Sequence, residues 1–192
     1  MMIGVAKKMA LISQNNNEKD NTVHRGVEIS GKTAGIIGLG KIGTKIGELC
    51  KAMGMRVIYW SKNTRDNKFE YSELSELISN GDFVFPCCAK NSETSTILTN
   101  DMLSKMKKEA SLVSIARVME YNKDFVVNMV KDGSIYGAGF EEDGGNLNKY
   151  VGNIFSAPEV GWLTDGSIHR NGSQWVESIL AANRGEYPTK VN

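Results

Sequence analysis

Three glycines, Gly38, Gly40 and Gly43, fall in the run Ile-Ile-Gly-Leu-Gly-Lys-Ile-Gly-Thr-Lys-Ile-Gly, Ile36 to Gly47, between an apolar stretch and an amphipathic one. Glycine makes up 20 of the 192 residues, so chance alone would supply roughly 0.2 such G-x-G-x-x-G matches. Position adds weight, because the motif follows a strand-like run directly and opens a helix-like one. At such a corner Gly38 permits a tight turn and Gly40 lets a diphosphate approach the backbone. Gly43 lets helix and strand pack closely, while Lys41 and Ile42 begin the helix. The unpaired N–H groups and dipole of the helix start favour phosphate charge. A dinucleotide is the expected ligand.

A second chemical checkpoint lies at the end of the next strand-like run, where an acidic residue would hold a ribose 2′-hydroxyl. That place is taken by Ser61, in Trp60-Ser61-Lys62-Asn63-Thr64-Arg65. A hydroxyl with Lys62 and Arg65 suits a 2′-phosphate, which favours NADP over NAD. The alternative is a solvated loop with two ordinary surface cations. Cys87 and Cys88 adjoin, but neither histidine nor further cysteine completes a ligand set around them, so no metal site is expected. His24 and His169 lie in a polar stretch and in the last helix, where a lone histidine is solvated or structural.

The elements that must position these groups alternate. Strands are expected at Thr33–Ile37, Arg56–Trp60, Asp82–Phe85, Ser111–Ile115, Ile135–Ala138 and Asn153–Ala157. Helices are expected at Ile3–Ser13, Lys41–Met53, Tyr71–Ser79, Asp101–Lys107, Asn122–Lys131 and Gly166–Arg184, with Gly54 and Gly133 as stops. Such alternation predicts a doubly wound α/β domain, a three-layer αβα sandwich around a parallel sheet. Residues 1–30 read as a crossover helix and polar loop, 31–165 as the dinucleotide-binding domain, and 166–192 as a C-terminal helix and tail.

Lysine and arginine total 23 against 22 acidic residues, which argues against nucleic acid or an anionic membrane as the main partner. Lys7 and Lys8 interrupt the apolar N-terminus short of a signal sequence. Three cysteines make no disulfide framework, and the expected setting is a reducing cytoplasm.

The segment GKTAGIIGLGKIGTKIGELCKAMGMRVIYWS resembles the cofactor domain of the D-isomer-specific 2-hydroxyacid dehydrogenases. DFVFPCCAKNSETSTILTNDMLSKMK, ASLVSIAR, DGSIYGAGFEE, IFSAPEVGWLT and GEYPTKVN resemble later stretches of that family in the same order. The resemblance covers about Gly31 to Asn192. It implies hydride transfer between a nicotinamide cofactor and a 2-hydroxy or 2-oxo acid, and pairing of cofactor domains into a homodimer.

On this resemblance Arg117 holds the substrate carboxylate, though Val118 replaces the glycine that usually follows it. The acid/base position, a histidine in the family, is Glu159. The glutamate that supports it becomes Asn146, or Asp143 if the loop shifts. Glu141 replaces the aspartate that contacts the nicotinamide carboxamide. Cys87 and Ala89 replace a histidine and a proline in the loop over the cofactor, where Thr94 also serves, and Ala116 lies beside the arginine on the cofactor side. The N-terminal part of the family's substrate domain has no counterpart here. The chain is therefore either the cofactor portion of a longer protein or a product that lost that half. A non-catalytic dinucleotide-binding or sensor module is the other reading.

Overall fold

In the computed structural model, residues 1–14, 21–88, 94, 97–115 and 121–186 are described. The N-terminal segment forms α1 (Met2–Ala6) and α2 (Met9–Gln14). Seven strands follow: β1 (Thr33–Ile37), β2 (Arg56–Trp60), β3 (Glu70–Tyr71), β4 (Phe83–Pro86), β5 (Ser111–Ser114), β6 (Gly137–Glu141) and β7 (Ile154–Ala157). Between them lie α3 (Lys41–Ala52), α4 (Leu74–Asn80), α5 (Asn100–Leu103) and α6 (Lys123–Lys131). The strands form one sheet in the order β3-β2-β1-β4-β5-β6-β7. Every pairing is parallel. This is the doubly wound α/β fold.

Strand side chains alternate between the two faces, and each face carries its own core. Ala34, Ile36, Val57, Tyr59, Phe83 and Phe85 join one cluster. Their neighbours Ile37, Ile58 and Val84 join the other, with Leu77, Leu103, Val126 and Phe140. Burial on both faces is why these strands read as apolar runs without polar alternation. Asp82 fastens the N-terminal ends of β1 and β4: one carboxylate oxygen accepts from the Thr33 N–H at 2.7 Å, the other from Lys107 Nζ at 3.1 Å.

Four expectations change, and the first is that the helix expected over Asp101–Lys107 is only the short α5, Asn100–Leu103. The helix expected over Ile3–Ser13 is broken at Lys7–Lys8, and Lys8 has φ +53°. The Ala6 carbonyl explains the break. It accepts from the Val27 N–H at 2.8 Å and the Tyr136 hydroxyl at 3.2 Å, and so is taken from the helical ladder. Tyr71 belongs to β3 and not to a helix, its ring edge-on to Tyr59 at 5.7 Å. The fifth expected strand shifts from Ile135–Ala138 to Gly137–Glu141.

Chain contacts divide the protein into two compact units, Met1–Pro158 and Glu159–Asn192. The N-terminal segment belongs to the first: Asn153 Nδ2 donates to the Val5 carbonyl at 3.1 Å, and Gln14 Nε2 to the Leu147 and Tyr150 carbonyls. The second unit is built on α7 (Asp165–Asn183), whose N-cap Thr164 accepts from the Ser167 N–H at 3.2 Å.

Candidate dinucleotide site

At the C-terminal edge of the sheet the ends of β1, β2, β4 and β5 surround a cleft of about 830 Å³. Switch points of doubly wound sheets hold ligands at this edge. Two hydrogen bonds make the corner sharp. The Gly38 N–H donates to the Trp60 carbonyl at 2.8 Å, and the Cys87 N–H to the Ile37 carbonyl at 2.7 Å. The end of β1 is thereby spliced between β2 and β4.

The three glycines of the corner differ in what requires them. Gly38 has φ +98°, and a Cβ on it would lie 2.8 Å from both the Cys88 nitrogen and Sγ. A Cβ on Gly43 would run into the Gly38 carbonyl oxygen, so this glycine lets α3 pack on the turn. Gly40 has neither constraint. Its φ of −84° suits any residue, and a Cβ there would meet no atom within 4 Å. It is also the N-cap of α3, with no side-chain cap and no acidic residue in the first turn. A helix start left uncapped and facing open space is an anion cradle that a side chain would fill. The residues present therefore fit a dinucleotide diphosphate.

Lys41, Ile42, Ser61 and Lys62 line the same cleft. Ser61 is buried, its Oγ accepting from the Thr64 N–H at 3.3 Å. Arg65 turns to its own loop: its guanidinium stacks 4.1 Å from the Tyr71 ring centroid and donates to the Ser61 and Thr64 carbonyls at 2.7 and 3.1 Å. It braces the loop that presents Ser61 and Lys62. Across the cleft stand Cys87, Cys88, Thr94, Ile97 and Ile115. Among the described lining residues there is no carboxylate.

The remaining candidates are scattered. Ala116 and Arg117 lie outside the described residues. Glu141 closes β6 opposite Ala157, half-buried and outside the cleft lining. Asn146 is held in its own loop, its Oδ1 accepting from the Asn148 N–H at 2.9 Å and its Nδ2 donating to the Gly144 carbonyl at 3.4 Å. Asp143 is exposed in that loop. Glu159 opens the second unit, half-buried.

One charged hub escapes sequence reasoning. The Glu142 carboxylate, 8% exposed, accepts from Lys123 Nζ at 2.7 Å, Ser156 Oγ at 2.7 Å and the Tyr150 hydroxyl at 2.9 Å. Lys149 Nζ lies 3.0 Å away. Burial alone would raise this carboxyl, but the hydrogen bonds from Lys123, Ser156, Lys149 and Tyr150 outweigh it and hold the group at about 2. The same bond pushes the Lys123 ammonium upward. Glu142 clamps the loop that carries Asn146. The only trace in the sequence is the pair Glu141-Glu142 after an apolar strand, which does not say which of the two turns inward.

Comparison with known proteins agrees with this architecture. The family model described as "D-isomer specific 2-hydroxyacid dehydrogenase, NAD binding domain" matches residues 1–142. A glyoxylate reductase of Pyrococcus horikoshii is 33% identical over 179 residues, covering 87% of this chain and 53% of that protein. A putative 2-hydroxyacid dehydrogenase of Staphylococcus aureus is 30% identical over 177 residues, 87% of this chain and 56% of that one. This chain thus spans about half the length of the curated relatives it matches. Among solved structures, an acyclic imino acid reductase in complex with NADPH and D-Arg superposes with a TM-score of 0.91. It is 24% identical and is matched over 100% of this chain and 65% of its own. These observations together show that the chain belongs to the D-isomer-specific 2-hydroxyacid dehydrogenase family and carries its NAD-binding domain.

Proposed function

We propose that this chain carries the cofactor-binding domain of a reductase that interconverts a small 2-oxo acid and its 2-hydroxy acid, with NADPH preferred to NADH. The observation that carries the reading is the open corner at Gly40, the one glycine of the motif without an internal reason to be glycine. A bound nicotinamide dinucleotide supplies the hydride. The chain's own residues bind and orient it: the start of α3 at Gly40, Lys41 and Ile42 holds the diphosphate, and Ser61 and Lys62, with Arg65 bracing their loop, take the 2′-phosphate. Glu141 accepts a hydrogen bond from the carboxamide, Cys87 and Thr94 belong to the loop that passes over the cofactor, and Ala116 is assigned to cofactor binding.

Arg117 is assigned to the substrate carboxylate and its neighbouring carbonyl, for which a planar fork of donors is suited. Glu159 is assigned to proton exchange at the substrate hydroxyl oxygen, and Asn146 to its support. Glyoxylate heads the substrate list because glyoxylate reductases stand among the relatives. Pairing into a homodimer and residence in the cytoplasm complete the proposal. Among the described residues no helix is long and apolar enough to cross a membrane.

A second reading, a dinucleotide-binding module without turnover, draws on Asn146, whose amide is committed to its own loop. Fluorescence titration with NADPH and NADH tests the binding that both readings share, and no binding at millimolar cofactor removes both. Cofactor oxidation with glyoxylate, hydroxypyruvate and pyruvate separates them: turnover supports the reductase, and binding without turnover supports the module.

A further inference from the structure

The three cysteines of the chain fall into two environments. Cys50 is 2% exposed inside the core, and burial pushes its thiol up to about 11. Cys87 and Cys88 are half-buried and both line the dinucleotide cleft. The Cys88 sulfur is built into the glycine turn, donating to the Ile37 carbonyl at 3.4 Å and lying 2.8 Å from where a Gly38 Cβ would stand. The cleft that exposes them contains Lys41, Lys62 and the uncapped start of α3, with no carboxylate among its described lining. The positive field that suits a diphosphate also supports the negative charge a thiol must carry to attack.

Geometry selects the chemistry. Cys87 packs against the core on one face of the sheet and Cys88 against the core on the other. Adjacent Cα atoms stand about 3.8 Å apart across a trans peptide, below the usual disulfide range of about 4.4–6.8 Å. Neighbours that point to opposite faces at that separation do not close a ring, so oxidation to a mutual disulfide and chelation of a soft ion by the pair are both disfavoured. Addition to a single sulfur remains.

We infer that the Cys87–Cys88 rim is a covalent modification site for soft α,β-unsaturated carbonyl electrophiles, and that modification shuts the dinucleotide cleft. A sulfur–carbon bond forms at the β-carbon of the electrophile, its carbon–carbon π bond breaks, and the proton lost from the thiol ends on the α-carbon. No oxidant or further reactant is needed. The adduct occupies the space beside Gly38 and Gly40 that the diphosphate requires. The modification stands on the thiols and the cleft alone, whereas its effect on binding rests on the dinucleotide reading.

The test treats the full chain with N-ethylmaleimide at pH 7.5 and follows each cysteine by peptide mass spectrometry. The peptide holding Cys87 and Cys88 is expected to label at least tenfold faster than Cys50. Saturating NADPH is expected to slow that labelling at least tenfold, and the labelled protein to lose NADPH binding. Labelling of Cys50 at an equal or faster rate overturns the inference. So does a labelled Cys87–Cys88 rim that binds NADPH with unchanged affinity. A chain that labels selectively at the rim yet binds no NADPH before labelling refutes the dinucleotide reading and with it the shut cleft, but leaves the modification site standing.

Discussion

Replacing Glu142 with glutamine keeps the shape of the buried hub and removes its charge. The carboxyl moves from 4.5 to about 2 on folding because Lys123, Ser156, Lys149 and Tyr150 donate to it. At about 1.36 kcal/mol per pH decade, that gap corresponds to about 3 kcal/mol of stability at pH 7. The sign follows from the direction. A folded-state value below the unfolded one gives a contribution that is full above about 4.5 and is lost as pH falls through about 2. Linkage then leaves most of that contribution at pH 4 and less than half of it at pH 3. For a domain of this size about 1 kcal/mol moves the melting temperature by about 2–4 °C, so Glu142→Gln is expected to melt about 6–12 °C lower at pH 7. Urea titrations of both proteins at pH 7, 4 and 3 provide the assay. A difference that narrows by more than half between pH 7 and pH 3 is expected. A difference that stays constant with pH, or that falls below about 1 kcal/mol at pH 7, would refute the claim that the charge is what the hub requires.

Other perturbations separate packing from ligand binding. Gly43→Ala drives a methyl into the Gly38 carbonyl and is expected to cost about 2 kcal/mol or more by overpacking, read as a lower denaturation midpoint together with weaker NADPH binding. Asn153→Ala removes the donor that serves the Val5 and Tyr136 carbonyls; a loss of about 1–3 kcal/mol is expected, with hydrogen exchange accelerated first in α1. Ser61→Asp places a carboxylate at the end of β2 in the cleft, and NADPH affinity should fall at least tenfold more than NADH affinity in paired titrations.

Much of the fold was legible because the central strands β1, β4 and β5 are buried on both faces. After Thr33 and Arg56 at their first positions, TAGII and RVIYW are apolar runs, as is FVFP, the pattern of covered parallel strands. The glycine turn was legible for a related reason, since positive φ and a carbonyl contact each tolerate one residue type. Long-range partners were not legible. The break in the first helix depends on Val27 and Tyr136 claiming the Ala6 carbonyl. Tyr71 is drawn into a two-residue edge strand by Tyr59, twelve positions earlier. Arg65 reads in sequence as a phosphate cation, yet it stacks on Tyr71 and braces its own loop. Glu142 shows the same limit, because its donors come from α6, the following loop and β7. Composition and spacing describe what a residue can do, but only folding decides which neighbours reach it first.

The central claim is that the space beside Gly40 is kept open for a diphosphate, and Gly40→Asp tests it with two readouts of opposite sign. Aspartate is a good N-cap at the start of α3, so the melting temperature should hold or rise slightly. Its charge at the cradle opposes a diphosphate by about 4 kcal/mol per charge pair at close range, so NADPH affinity measured by fluorescence should fall more than a hundredfold. A Gly40→Asp protein that binds NADPH within threefold of the unaltered chain would contradict the account.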